Sequence, residues 1–226
     1  MRKLLLALLL AAACAPLAHA QGSAGERDKV NVFVGFSHNR VDTGADEAGL
    51  TGNFDKREGF NGVNASITGN VSRYVGLKFD YSYHRGNIDG TVNVICVAAP
   101  CPPVPFSVDA SVHNILGGVQ FKDNTKDSDK RVRPFGHVLV GAHRSAAEFQ
   151  AVSCLGIGVC PPAGAGDDET GFAAAVGGGL DVRLSDRVSV RAIQLDWNPN
   201  RFGDDNGVGG SRTAHNFRIG VGVVFH

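Results

Sequence analysis

Val75-Gly76-Leu77-Lys78-Phe79-Asp80-Tyr81-Ser82-Tyr83 is the stretch that decides how this chain folds. Every odd position is apolar, and every even position is small, polar or charged. Successive side chains of a strand point to opposite faces, so one face is greasy and the other holds a lysine and an aspartate. Similar segments recur along the chain after a secretory signal. Together they read as a transmembrane β-barrel, apolar towards lipid and polar towards its lumen.

Upstream, Arg2 and Lys3 precede a short apolar core, Leu4 to Leu10 followed by Ala11 to Ala13. Ala18-His19-Ala20 fits the small-x-small cleavage pattern, so residues 1–20 read as a signal peptide and 21–226 as a single barrel domain. Lipoprotein-type processing at Cys14 is the rival, with Leu10 one place too far back for a good match. Beyond Ala20 no run approaches the roughly 18 apolar residues of a membrane helix. A membrane form of this chain therefore has to be a closed sheet, because lipid offers nothing to unpaired backbone groups.

Composition agrees with that. The 226 residues carry 22 basic and 22 acidic side chains, and loss of Arg2 and Lys3 leaves the mature chain at −2. Near-neutrality argues against nucleic acid as a partner. The 30 glycines suit a twisted, closely packed sheet. No heptads, low-complexity tails or Pro-rich linkers divide the chain.

The alternation predicts strands over 29–41, 59–71, 74–86, 106–122, 132–147, 171–184, 188–201 and 213–226. The fold class is thus all-β, an up-and-down antiparallel transmembrane barrel of about eight strands. Asn70-Val71-Ser72-Arg73 and Ser185-Asp186-Arg187 read as tight turns, and Asp123 to Lys130 as a charged turn of middling length. The linkers 42–58, 87–105, 148–170 and 202–212 are longer. Short and long connections alternate, as they do between the periplasmic and external ends of outer-membrane barrels.

The last strand alternates Phe217, Ile219, Val221, Val223 and Phe225 with Asn216, Arg218, Gly220 and Gly222. With this pattern the mature chain resembles the small outer-membrane barrels of Gram-negative envelopes typified by the outer membrane protein A barrel (OmpA-like and OmpX-like, porin-family-like). The resemblance implies an outer-membrane location and recognition of the terminal aromatic strand by the barrel assembly machinery. One departure is that His226 follows Phe225. The peptidoglycan-binding domain that often follows such barrels is not expected, since the sequence stops at His226.

Strand parity places Lys78, Asp80, Arg85, Asp109, Asp181, Arg183, Arg191, Asp196 and Arg218 on or near the inner face. For 188–201 this requires a bulge near Ile193-Gln194, which adds one residue to a strand. Parity is ambiguous in 106–122 beyond Asn114 and in 132–147 around His137. An eight-stranded barrel has an interior just wide enough for side chains to fill it, so these charges read as an ion-pair plug. A gated ion path with exchanging partners is the functional alternative. Tyr74, Tyr81, Tyr83, Phe121, Trp197, Phe202 and Phe225 read as an aromatic girdle at the lipid interface.

Cys96, Cys101, Cys154 and Cys160 are disulfide candidates, an even set in an oxidising envelope. Local pairing is favoured, cross-loop pairing remains open, and metal binding lacks the usual spacing and nearby histidines. His84 and His113 are expected in the polar lumen. Ser82 with His84, and His143 with Ser145, share a face by strand geometry alone, and no acidic third member is placed with either pair. No cofactor and no catalysis are expected.

The function expected is a structural, surface-interaction or minor-pore role, as a monomer in contact with outer-membrane lipids. The long loops would carry any extracellular ligand. A soluble exported barrel with a ligand inside is one alternative and needs the opposite faces, apolar inside and polar outside. A lipid-modifying barrel enzyme is the other.

Overall fold

The computed structural model describes residues 27–42, 52–53, 57–92, 104–125, 130–152, 166–203 and 212–226. The predicted signal segment, with its alternative at Cys14, and the disulfide candidates Cys96, Cys101, Cys154 and Cys160 lie outside them. The described residues form β1 (Val30–Asp42), β2 (Gly52–Asn53), β3 (Arg57–Asn70), β4 (Val75–Val92), β5 (Val104–Lys122), β6 (Val132–Val152), β7 (Gly166–Arg183), β8 (Val188–Arg201) and β9 (Thr213–Phe225).

Consecutive long strands pair antiparallel, and β1 pairs with β9, for example Phe36 opposite Val221. The eight long strands therefore close on themselves, with β4 bonded to both β3 and β5. Closure leaves no unpaired edge to face lipid. The two-residue β2 adds to the outer end of β4 and is not a stave of the barrel.

The tight turns have local causes. Ser72 Oγ accepts from the backbone N–H of Tyr74 (3.3 Å) and Val75 (3.1 Å). Ser185 Oγ does the same for Arg187 (3.4 Å) and Val188 (3.2 Å). At the third short connection the Asp123 carboxylate takes the Thr125 N–H at 3.2 Å and its hydroxyl at 2.6 Å. Short polar side chains reaching back to the backbone stabilise such turns. These three turns share one end of the barrel with Arg27 and His226, which makes that end periplasmic.

The faces follow the alternation. Leu77 and Phe79 are 56% and 51% exposed, while Lys78 and Asp80 between them are 2% and 0% exposed. Outward on β9 stand Phe217, Ile219, Val221 and Phe225, all exposed. From Phe217 to Phe225 the strand rises about 27 Å, or about 20 Å along the axis at the usual tilt, close to the apolar band of such barrels.

The strand boundaries differ from the sequence reading in one direction. β1, β3, β8 and β9 have 13 or 14 residues, near their expected spans. β4, β5, β6 and β7 have 18, 19, 21 and 18 and run into stretches expected as linkers. About 9–11 tilted residues suffice to cross the bilayer, so nearly half of each of these four strands stands outside it.

The bulge lies where β8 needs it. Ala192 and Ile193 both turn away from the lumen, between buried Arg191 and Gln194, and the register against β9 shifts there. Arg191 and Asp196 consequently line the same wall although their separation in sequence is odd.

Candidate functional site: a lumen with an ionic floor and an apolar mouth

The barrel interior is filled from the periplasmic end by ions. Asp181 is held by Arg191, Nε to Oδ1 at 2.8 Å and a second guanidinium nitrogen to Oδ2 at 3.2 Å, and by Lys122 Nζ at 2.7 Å. The Arg191 guanidinium lies over the rings of Phe33 and Phe135 at 4.3 and 4.0 Å, two cation–π contacts. A further Arg191 nitrogen donates to Gln194 Oε1 at 2.7 Å, and Gln194 Nε2 donates to Asp196 Oδ2 at 2.6 Å. Arg218 donates to Asp196 Oδ2 (2.6 and 2.9 Å) and to Asp80 Oδ1 (3.1 Å). Lys78 Nζ stands 3.2 Å from Asp80 Oδ2, and His137 Nε2 stands 3.0 Å from Asp196 Oδ1. One continuous chain thus joins Lys122, Asp181, Arg191, Gln194, Asp196, Arg218, Asp80 and Lys78. Each charged member is at most 4% exposed.

Such burial costs several kcal/mol per ion unless partners replace the lost water. Backbone geometry makes room for it. Inward-facing Gly177 lies across from Asp196, and a Cβ there would collide with Asp196 Oδ1 and the Leu195 carbonyl.

A smaller cluster shuts the periplasmic end. His226 turns inward, its Nε2 bonded to Ser189 Oγ at 2.7 Å and its Nδ1 to Asn31 Oδ1 at 2.8 Å, with Asp28 Oδ2 3.2 Å away. The Asp28 backbone reaches Asn124 O (3.1 Å) and Asn70 Nδ2 (2.8 Å), so residues before β1 cross the opening. Burial alone would raise the Asp28 carboxyl; His226, Arg183 and Arg133 outweigh it and hold it below its ordinary value.

Above the ions come neutral groups. Ser37 Oγ bonds His84 Nε2 at 2.8 Å, and Asn114 Nδ2 donates to Ser82 Oγ at 3.4 Å. At the outer end the interior turns apolar on the β3–β5 side, with Phe60, Val108 and Val112 buried, while buried Asn39, Asn200 and Asn216 keep the β1, β8 and β9 side polar.

Set against the sequence reading, Lys78, Asp80, Asp181, Arg191, Asp196 and Arg218 come together in the chain of ions, and Arg183 lies at the periplasmic mouth on the inward parity of β7. Arg85 and Asp109 do not join them. They pair with each other at 3.1 Å on the outward faces of β4 and β5, with the Arg85 side chain 62% exposed. Parity excludes them: Arg85 shares its face with Tyr81 and Tyr83, and Asp109 is an odd residue on a strand whose inward positions are even. His113 also lies outward, bonding the Tyr81 hydroxyl at 3.0 Å and packing on Tyr83. Phe202 leaves the girdle and packs edge-on against His143 over the mouth of the lumen.

Lys122, His137, Gln194 and Asn64 belong to the buried network and were not singled out from sequence. Lys122 and Gln120 have the parity of Asn114, so an unbroken β5 alternation would have found Lys122. Among the described residues no cluster of His, Cys, Asp and Glu could hold a metal ion.

A closed eight-stranded sheet with a lipid-facing apolar band and a charged interior defines the class of outer-membrane barrels. The chain matches the family described as outer membrane protein beta-barrel domain over residues 5–225, and it belongs to that family. Its location is the cell outer membrane. Similar solved structures include the attachment invasion locus protein Ail of Yersinia pestis, 14% identical with a TM-score of 0.49, covering 87% of this chain and 97% of that one. Neisserial surface protein A is 12% identical, covers 88% and 97%, and has a TM-score of 0.49. OprG of Pseudomonas aeruginosa is 11% identical, covers 89% and 97%, and scores 0.46. No curated protein matches this sequence.

Proposed function

We propose that this chain is a non-catalytic structural and surface barrel whose lumen is closed to ions. The carrying observation is the continuous chain from Lys122 to Lys78, in which each carboxylate meets at least one cation. An ion could pass only by separating buried pairs. Reconstitution in planar bilayers tests this, with no conductance steps expected for the wild type. Wild-type steps that change in Arg191→Ala would overturn it in favour of a minor pore, a reading helped by Asp80 being shared between Lys78 and Arg218.

Catalysis finds no support in the paired residues. His84 Nε2 is engaged by Ser37, and Ser82 Oγ accepts from Asn114. Ser145 lies opposite Glu169 across β6 and β7, yet its Oγ makes no hydrogen bond among the described residues and Glu169 Oε1 receives the Gly203 N–H at 2.8 Å. Among the described residues neither serine has the contact to a base that activates a nucleophile.

The same reading makes the barrel a monomer in contact with outer-membrane lipids, assembled by the barrel machinery and meeting extracellular ligands through its long connections. The inward turn of His226 supports recognition of Phe225, because it leaves that ring as the last outward group of β9. Electrophoresis of unheated and heated samples tests the monomeric closed state, which should run as one heat-modifiable band.

A further inference from the structure

On β4 and β5 the two faces exchange character part-way up. In β4, outward Leu77, Phe79 and Tyr81 give way to Arg85, Asn87 and Asp89, while inward Lys78, Asp80 and His84 give way to Gly86 and Ile88. In β5 the inward Val112, Ala110 and Val108 lie opposite outward Ser111 and Asp109. Above the bilayer this wall is apolar inside and polar outside, the pattern of a soluble barrel that holds a ligand. A cavity of about 220 Å³ sits there, walled by Phe60, Ile88, Val112 and Phe202.

We infer that this extracellular vestibule binds one small, neutral, cyclic hydrophobe that carries a hydroxyl or N–H. The size follows from the volume, since a dry cavity of about 150 Å³ takes a benzene ring and this one admits two fused rings. The hydrogen-bonding group follows from Asn200 and Ser145. Both line the cavity, Asn200 is 1% exposed, and Asn200 Oδ1 and Ser145 Oγ have no partner among the described residues. A buried acceptor left unpaired is costly, and a ligand donor would satisfy it. Neutrality follows from the three charged residues that line the cavity, all already engaged: Glu169 accepts the Gly203 N–H, Arg212 lies over the Phe202 ring at 5.0 Å, and Asp42 has a partner of its own. The site goes beyond the surface-barrel reading and does not depend on whether the ionic floor conducts.

Methyl-resolved NMR of the full chain in lipid nanodiscs, titrated with 2-naphthol, tests the site. Saturable one-to-one shifts at the Val112 and Ala147 methyls are expected, with Val138 and Val140 on the lipid face unmoved. Filling the cavity by Ala110→Phe should weaken binding at least tenfold, and Ala147→Phe is the second variant should the first not give a heat-modifiable barrel. Asn200→Leu should weaken 2-naphthol about fivefold, as expected for one hydrogen bond, while leaving naphthalene unchanged. Shifts confined to Val138 and Val140, shifts that never saturate, or shifts equally strong in both filled variants would overturn the inference. So would no shift at all, the result expected if a neighbouring connection of this chain fills the cavity.

Discussion

Below the level of Arg85 the barrel wall presents Leu77, Phe79 and Tyr81 to lipid and Lys78 and Asp80 to the lumen; above it Ile88, Val108 and Val112 turn inward while Arg85, Asn87 and Asp109 turn out. The same strands serve both zones with unbroken pairing from Val75–Phe121 to Val92–Val104. Backbone hydrogen bonding is therefore indifferent to the exchange. What changes is the medium outside the wall, hydrocarbon in one zone and water in the other, and each face takes the character its medium permits.

The ionic floor offers the sharpest way to break this comparison. Arg218→Ala leaves Asp80 and Asp196 short of their shared partner, and loss of about 3–5 kcal/mol is expected, as for other broken buried pairs. Urea unfolding in lipid vesicles, followed by heat-modifiable mobility, measures it; a loss below 1 kcal/mol would mean that water reaches the network.

Introducing a charge on the outside locates the boundary between zones. Phe79→Arg should cost about 2–4 kcal/mol near the bilayer midplane, whereas Asn87→Arg, on the same strand but outside lipid, should cost almost nothing. Equal costs would remove the distinction between the zones.

Acid sharpens the picture at the periplasmic end. The Asp28 carboxyl is held below its ordinary 3.8, so the folded chain binds fewer protons there than the unfolded chain does. Its contribution is complete above that ordinary value and is lost as pH falls through the depressed one. Stability of the wild type should decline below about pH 4, and Asp28→Asn should flatten that part of the profile; an unchanged acid limb would place the decline elsewhere.

The smallest effect belongs to the exposed pair. Arg85→Ala removes the Asp109 contact where water screens it and should change stability by about 0–1 kcal/mol. A cost approaching that of Arg218→Ala would show that parity had assigned Arg85 to the wrong face.

Reading charges from sequence worked where the alternation was uninterrupted. Lys78 and Asp80 follow directly from apolar neighbours at 77, 79 and 81. Arg191 and Asp196 needed the bulge, which the chain shows in the awkward parity around Ile193. Lys122 was missed at a strand end, where Gly117 and Gly118 blur the apolar and polar positions. Arg85 and Asp109 sit on the outward parity of β4 and β5, because a charge has to face the lumen only at the height of the bilayer and both lie above it. For the same reason the outer ends of β4, β6 and β7, beyond 86, beyond 147 and before 171, read as linkers: with the faces exchanged they no longer match the lipid-facing template.

The sequence alone determined a closed, lipid-facing sheet, because a strand's two-residue period is local and lipid forbids an open edge. Which ions meet, where the apolar interior begins and how the wall rises above the membrane were decided only by tertiary structure. Those features depend on register between strands distant in the chain, as when Arg218 of β9 reaches Asp80 of β4, and on the height at which each residue meets lipid or water.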